Sequence, residues 1–195
     1  MAATASTMLP LGTNMPGFML TDAVSGKSMR SSDLAKGKKA MVIMFICNHC
    51  PYVKHVRDQL AQLARDYSPK GVGFVGISSN DIQSYPDDAP PLMKQEAAEA
   101  GYTFPYLFDE DQAVAKSYKA ACTPDFFLFD AAGKLFYRGQ LDDTRPRSGM
   151  TSTGKDLRNA IELVLRPVAS PPERQMPSLG CNIKWRYRNE PDYAR

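Results

Sequence analysis

Long apolar runs are missing from this 195-residue chain. The longest, Ala40 to Cys47, is less than half of what a membrane helix requires and reads instead as a buried strand. Basic residues are missing from the N-terminus, where none precedes Lys27. A secretory signal needs a positive start before an apolar stretch, and a transit peptide needs arginines. The expected location is therefore cytoplasmic. Charge of one sign is also scarce: a net +3 with 23% charged residues provides no electrostatic case for binding nucleic acid or a membrane. There are only four cysteines, Cys47, Cys50, Cys122 and Cys181. A reducing cytosol disfavours a permanent disulfide framework, so their expected roles are catalytic, metal-binding or simply buried. What is present is 43% hydrophobic residues over a length suited to one well-buried core, and a single domain is the default.

Residues 1–14 read as a flexible start, 15–168 as the folded domain and 169–195 as an extension packed on it. The extension is rich in Pro and Arg, yet Leu179, Ile183 and Trp185 are costly to leave in water. Within the domain, MPGFMLTDAVSGKSMR has the pattern of a β-hairpin. SSDLAKG follows as one helical turn with Ser31 or Ser32 as cap and Gly37 as stop. Ala40–Ile46 is apolar without alternation, which suits a central parallel strand covered on both faces. Val53, Val56, Leu60, Leu63 and Tyr67 then mark one face of an amphipathic helix, and Val72–Ile77 is a second apolar strand. Together they make a βαβ unit, right-handed by default. Residues 78–121 form an insertion holding a helix from Pro91 to Ala100, a short FPYLF stretch and a helical DQAVAKSYK. Phe126–Phe129 and LFYRG form an antiparallel pair around Asp130–Gly133. A last helix begins near Thr153 with Asp156 as capping partner.

The chemistry concentrates in Cys47-Asn48-His49-Cys50, at the junction of the buried strand and the amphipathic helix. Amides at a helix start favour an anion and lower a thiol's pKa, and the thiolate is the nucleophile of disulfide exchange. Pro51 leaves two helix starts open: the motif itself as first turn, or Cys50 as cap with Pro51 in the first helical position. The adopted reading makes Cys47 the attacking thiol and Cys50 the resolving one. Half of a zinc site is the competing explanation of a C-x-x-C. Against it, the chain has no second C-x-x-C and no H-x3-H, although His49, His55, Cys122 and Cys181 are further donors.

The segments PGFMLTD, CNHCPYVKHV, VGISSND, FPYLFDED, CTPDFFLFD and GKLFYRG together resemble a thioredoxin-like protein of the alkyl-hydroperoxide-reductase/thiol-specific-antioxidant (peroxiredoxin-like) superfamily, over roughly residues 15 to 166. The resemblance implies an α/β thioredoxin-like fold: a central mixed sheet flanked by helices, with an N-terminal hairpin and an insertion before the cis-proline strand. It implies that Thr123–Pro124 is the cis bond facing the C-x-x-C, with the backbone of Thr123, and Asn48 beside it, contacting substrate. Two departures narrow the activity. Ile46 stands where thioredoxin has tryptophan, and Cys47 stands where typical peroxiredoxins have threonine. Dithiol exchange is thus expected over a dedicated peroxidase. His49, as in the more oxidising members, is expected to stabilise the reduced pair.

The expected function is thiol–disulfide oxidoreduction by Cys47 and Cys50, with thiol peroxidase activity and non-enzymatic metal binding as alternatives. No cofactor or metal is called for, because the sulfurs themselves carry the electrons. The expected partners are protein or small-molecule disulfides and an unidentified thiol reductant, and the expected state is a monomer or weak homodimer. Cys122 and Cys181 read as buried thiols or auxiliary redox thiols. Asp109, Glu110 and Asp111 read as helix N-terminal acids.

Overall fold

The structure, a computed structural model, describes residues 3–194. The apolar segment Ala40–Phe45 forms β4, with every residue buried because both sheet faces are covered. Its alternate side chains serve two cores. Val42 and Met44 join one cluster, and Met41, Ile43 and Phe45 join the other. The amphipathic segment forms α2 (Pro51–Tyr67), which returns the chain to β5 (Val72–Ser78), parallel to β4.

Around this unit lies a seven-stranded mixed sheet in the order β3 (Ser28–Arg30), β2 (Met19–Asp22), β6 (Tyr106–Phe108), β5, β4, β8 (Asp125–Asp130), β9 (Leu135–Gly139). The hairpin consists of β2 and β3, while β8 and β9 pair antiparallel on the other side. The insertion contributes more to the sheet than its short apolar stretch suggested. Within it, β6 runs parallel to β5 and antiparallel to β2, joining the hairpin to the central strands. Helices α2, α3 (Pro90–Ala100) and α5 (Lys155–Val164) cover one face; α1 (Ser31–Ala35) and α4 (Ala113–Ser117) cover the other. This is a thioredoxin-like α/β architecture. Among the described residues no helix is long and apolar enough to cross a membrane.

Two helix starts differ from the expected caps. Ser31 lies inside α1, and its hydroxyl accepts the Phe18 amide at 3.1 Å, tying the helix to the hairpin. At α5, Asp142 rather than Asp156 supplies the acceptor. One carboxylate oxygen of Asp142 takes the amides of Thr153 and Gly154, whereas Asp156 accepts from the Gln140 side chain. A turn distant in sequence thus does what a local capping box would have done.

The largest difference from expectation concerns the N-terminus. Instead of a flexible start, residues 3–5 form β1 (Ala3–Ala5), and Leu9 is buried. The C-terminal extension forms β10 (Leu179–Asn182), which lies between β1 and the two-residue β7 (Cys122–Thr123), antiparallel to both. A polar, Pro-rich tail becomes ordered because its amides and carbonyls find a ladder on either side.

Candidate active site

The Cys47-Asn48-His49-Cys50 segment follows β4 as a loop and ends where α2 begins. Pro51 occupies the first helical position, and Cys50 is the N-cap with φ −68° and ψ 123°. A residue before proline is pushed out of the α region, and proline's missing N–H is harmless at a helix start. The motif therefore precedes the helix rather than forming its first turn. The Cys50 carbonyl accepts the first helical bond, from Lys54, at 3.0 Å.

Asp88 holds this loop, and nothing in the local sequence singled it out. It is wholly buried and accepts the amides of Asn48 at 2.7 Å and His49 at 3.2 Å, the Asn80 side chain at 2.8 Å and His49 Nδ1 at 2.6 Å. Burial works to raise its pKa, but the bonds from His49, Asn80 and Asn48 outweigh that and hold it below the usual carboxylate range. The His49 ring also stacks on Tyr85, with centroids 5.1 Å apart. His49 is thus a fixed part of the loop rather than an exposed spacer. Asn80 follows β5, and the carboxyl ends of parallel strands are where α/β folds gather their sites; that position was the available signal for this shell. Asn48, expected to contact substrate, is engaged within the loop. It is buried, its side-chain amide donates to the Asp87 carbonyl at 2.8 Å, and its oxygen accepts the Tyr106 hydroxyl at 3.1 Å. It anchors the loop.

The Thr123–Pro124 bond is cis and lies against the cysteines. As a thiol, Cys50 donates to the Thr123 carbonyl at 3.2 Å, and Cys47 Sγ is 3.4 Å from the Thr123 hydroxyl. The two sulfurs differ in electrostatic setting. Burial, Cys50 and the Asp88 carboxylate all push the Cys47 thiol well above its ordinary value. At Cys50 the donors win over burial. The Cys47 thiol, the Cys181 thiol, the Val53 amide and the Thr123 hydroxyl lower it to about 5. The Val53 amide approaches the sulfur without closing a full capping bond. The pair therefore carries its negative charge on Cys50. Cys47 was expected to be the attacking thiolate; the stabilised thiolate here is Cys50, and the foremost cause is the hydrogen bond it receives from Cys47.

The C-terminal strand covers this end of the sheet. Cys181 stands opposite Thr123 and Asn182 opposite Cys122, and the Ile183 amide donates to the Ala121 carbonyl at 3.0 Å. Upstream, the Gln140 amide donates to the Met176 carbonyl at 2.9 Å, and the Ser178 hydroxyl donates to the Gly139 carbonyl at 2.7 Å. Two glycines allow the approach. A Cβ on Gly180 would lie 2.0 Å from the Thr123 carbonyl oxygen, and one on Gly139 2.1 Å from that of Met176. The Thr123 backbone edge, expected to meet substrate, is paired with the chain's own tail, and Cys47 and Cys50 are 1% and 0% exposed. Cys122 is buried and donates to the Pro124 carbonyl at 3.6 Å; burial raises its thiol well above the ordinary value.

Among the described residues, Cys47, His49 and Asp88 bring one donor atom each within 4.8 Å of one another, the spacing of a metal site. The His49 and Asp88 atoms are already bonded to each other, so a metal would have to displace that bond. Of the other expected residues, His55 sits farther along α2 and bonds Thr144 at 2.9 Å, and Asp109 takes the amides of Val114 and Ala115 at the start of α4.

Residues 10–156 match the Redoxin family. A crystal structure of an uncharacterized conserved protein from Geobacillus kaustophilus is 54% identical and superposes with a TM-score of 0.92, covering 95% of this chain and 97% of that one. A hypothetical protein from Sinorhizobium meliloti 1021 is 44% identical with a TM-score of 0.90, over 94% and 98% of the two chains. The thiol-disulfide oxidoreductase ResA of Geobacillus kaustophilus (strain HTA426) is 27% identical over 133 residues, 68% of this chain and 70% of that protein. With its thioredoxin-like sheet and a family match spanning most of its length, the chain belongs to the Redoxin family.

Proposed function

We propose that the protein exchanges electrons with disulfides, those of proteins included, through a reversible Cys47–Cys50 disulfide. The observation that carries this reading is the placement of a depressed-pKa Cys50 at the helix cap with the Cys47 thiol as its foremost hydrogen-bond donor, both against Thr123. The Cys50 thiolate attacks one sulfur of a substrate disulfide, and the other substrate sulfur leaves as a thiolate and takes a proton. Cys47 then gives up its proton and attacks Cys50 Sγ, releasing the second substrate thiol and closing the Cys47–Cys50 bond. Two equivalents of an external thiol reductant then reopen the Cys47–Cys50 bond by successive exchange and leave as their own disulfide. His49 and Asp88 hold the loop, and Thr123–Pro124 shapes the opposing wall.

Turbidimetric insulin reduction in the presence of dithiothreitol tests the reading. Cys47→Ser and Cys50→Ser should each abolish the activity while the far-ultraviolet circular dichroism stays unchanged. Activity retained in both single variants would refute it. The burial of both sulfurs favours a second reading, because a peroxide is small enough to reach them where a folded protein is not. In that reading Cys50 takes one peroxide oxygen as a sulfenic acid, and Cys47 displaces it as water to form the same disulfide. Peroxide consumption that depends on both cysteines, without insulin reduction, would select it.

A further inference from the structure

Cys50 has two thiols against it, and the proposed function uses one. The second is Cys181, brought there by a feature of the fold that exchange between Cys47 and Cys50 does not need. Strand β10 pairs with the very residue whose carbonyl accepts Cys50 and whose hydroxyl meets Cys47, and Cys181 is its register partner. Cys47, Cys50 and Cys181 share one buried cluster, and the Cys181 thiol is among the groups that lower the pKa of Cys50. Gly180 lets this strand press onto the backbone of Thr123 and Pro124, since a Cβ there would also lie 2.6 Å from the Thr123 carbonyl carbon. Backbone bonds to Ala121 and Gln140 and the Ser178 hydroxyl on Gly139 hold the segment on both sides of Cys181.

We propose that Cys181 is a third redox thiol of this site, able to resolve a mixed disulfide on Cys50 in place of Cys47 and so to lock the C-terminal strand to the active site through a Cys50–Cys181 disulfide. The inference rests on the dithiol reading above. In the step itself, Cys181 loses its proton and attacks Cys50 Sγ of a Cys50–substrate disulfide. The Cys50–Cys181 bond forms, the bond to substrate breaks, and the substrate sulfur leaves with the proton as a thiol. No further oxidant is required, because the substrate disulfide supplies both oxidising equivalents. In the resting site burial and then the neighbouring Cys50 push the Cys181 thiol up to about 12. Once Cys50 is bound in a mixed disulfide its negative charge is gone, and with it one of the two causes that keep Cys181 protonated.

Oxidised glutathione is a suitable probe, read by intact mass and peptide mapping under acid quench. With Cys47→Ser, the expected product is an intramolecular Cys50–Cys181 disulfide with two glutathiones released per chain. With Cys47→Ser plus Cys181→Ser, reaction should stop at a glutathione adduct on Cys50 with one released. The wild-type chain, which needs no variant to fold, should give Cys50–Cys181 linked peptides beside Cys47–Cys50 ones. A Cys47→Ser protein that stops at the same adduct as the double variant would overturn the proposal while leaving the dithiol reading intact. So would an unreactive Cys47→Ser beside a reactive wild type, because the nucleophile would then be Cys47. A wild type that forms no intramolecular disulfide would overturn both.

Discussion

Replacing Gly180 with alanine tests how tightly the tail is tied to Cys47 and Cys50. The added Cβ would meet three backbone atoms: the Thr123 carbonyl oxygen at 2.0 Å, its carbon at 2.6 Å and the Pro124 nitrogen at 3.1 Å. Backbone atoms of a paired strand cannot swing aside as a flexible side chain can, so β10 must move away by more than an ångström. That movement strains the pairing of Cys181 with Thr123, the Ile183–Ala121 bond and the seat of Ile183, which is 1% exposed. A net hydrogen bond contributes about 1 kcal/mol and overpacking costs about 1–3 kcal/mol, so the expected loss is about 2–4 kcal/mol. Urea unfolding measures it. Gly17→Ala, whose nearest atom would be the Ser31 hydroxyl at 3.9 Å, is the control expected to change little. Withdrawal of Cys181 also removes a donor from Cys50, so the midpoint of its iodoacetamide reactivity against pH should move up from about 5. If Gly180→Ala matched the control in both stability and midpoint, β10 would not be coupled to Cys47 and Cys50 and the reasoning would fail.

In the wild type, alkylation of Cys50 followed by mass spectrometry should reach half-maximum near pH 5, and Cys47→Ser should shift that point upward because the Cys47 thiol is the foremost donor to Cys50. A depressed folded pKa stabilises fully above the free thiol's value of about 8.5 and is lost as pH falls through about 5. Cys50→Ala should accordingly flatten the rise of unfolding free energy over that interval. Asp88→Asn keeps the size of a group that serves two loop amides and the His49 ring but removes its charge; we expect about 2–4 kcal/mol of destabilisation by urea unfolding. It should also lower the Cys47 titration, since Asp88 contributes to raising it. For Asp142, burial is outweighed by bonds from Thr144, Ser152 and the Gly154 amide, which bring the carboxyl to about 2. Its stabilisation is present above the ordinary carboxylate value of about 3.9 and disappears as pH falls toward 2. Asp142→Asn should therefore make the stability less steep in acid over that window.

Much of the central unit was legible because its signals are local. The unbroken apolar run of β4 and the 3-4-3-4 spacing on α2 follow from covering a strand on two faces and a helix on one, and neither depends on distant residues. The cysteine motif could be found for the same reason: two thiols at a strand–helix junction need no partner elsewhere to be noticed. Pro51 also stood in view beside the motif, although choosing between the two helix starts required the backbone itself.

The surroundings of the motif were not legible in this way. Asp88 lies in an acidic, Pro-flanked stretch that could as well be solvated surface, and only folding buries its carboxylate beneath the amides of Asn48 and His49. The tail gave a few apolar residues as a hint of packing, but its partner strand and register depend on the edge of β7 being left open by the sheet. Sequence alone determined the strand–helix–strand unit and the pair of thiols, because periodicity and adjacency are properties of the chain. Which sulfur holds the charge, what fixes the loop and where Cys181 stands were decided by tertiary structure, because burial, electrostatic field and strand register arise only when distant segments share a volume.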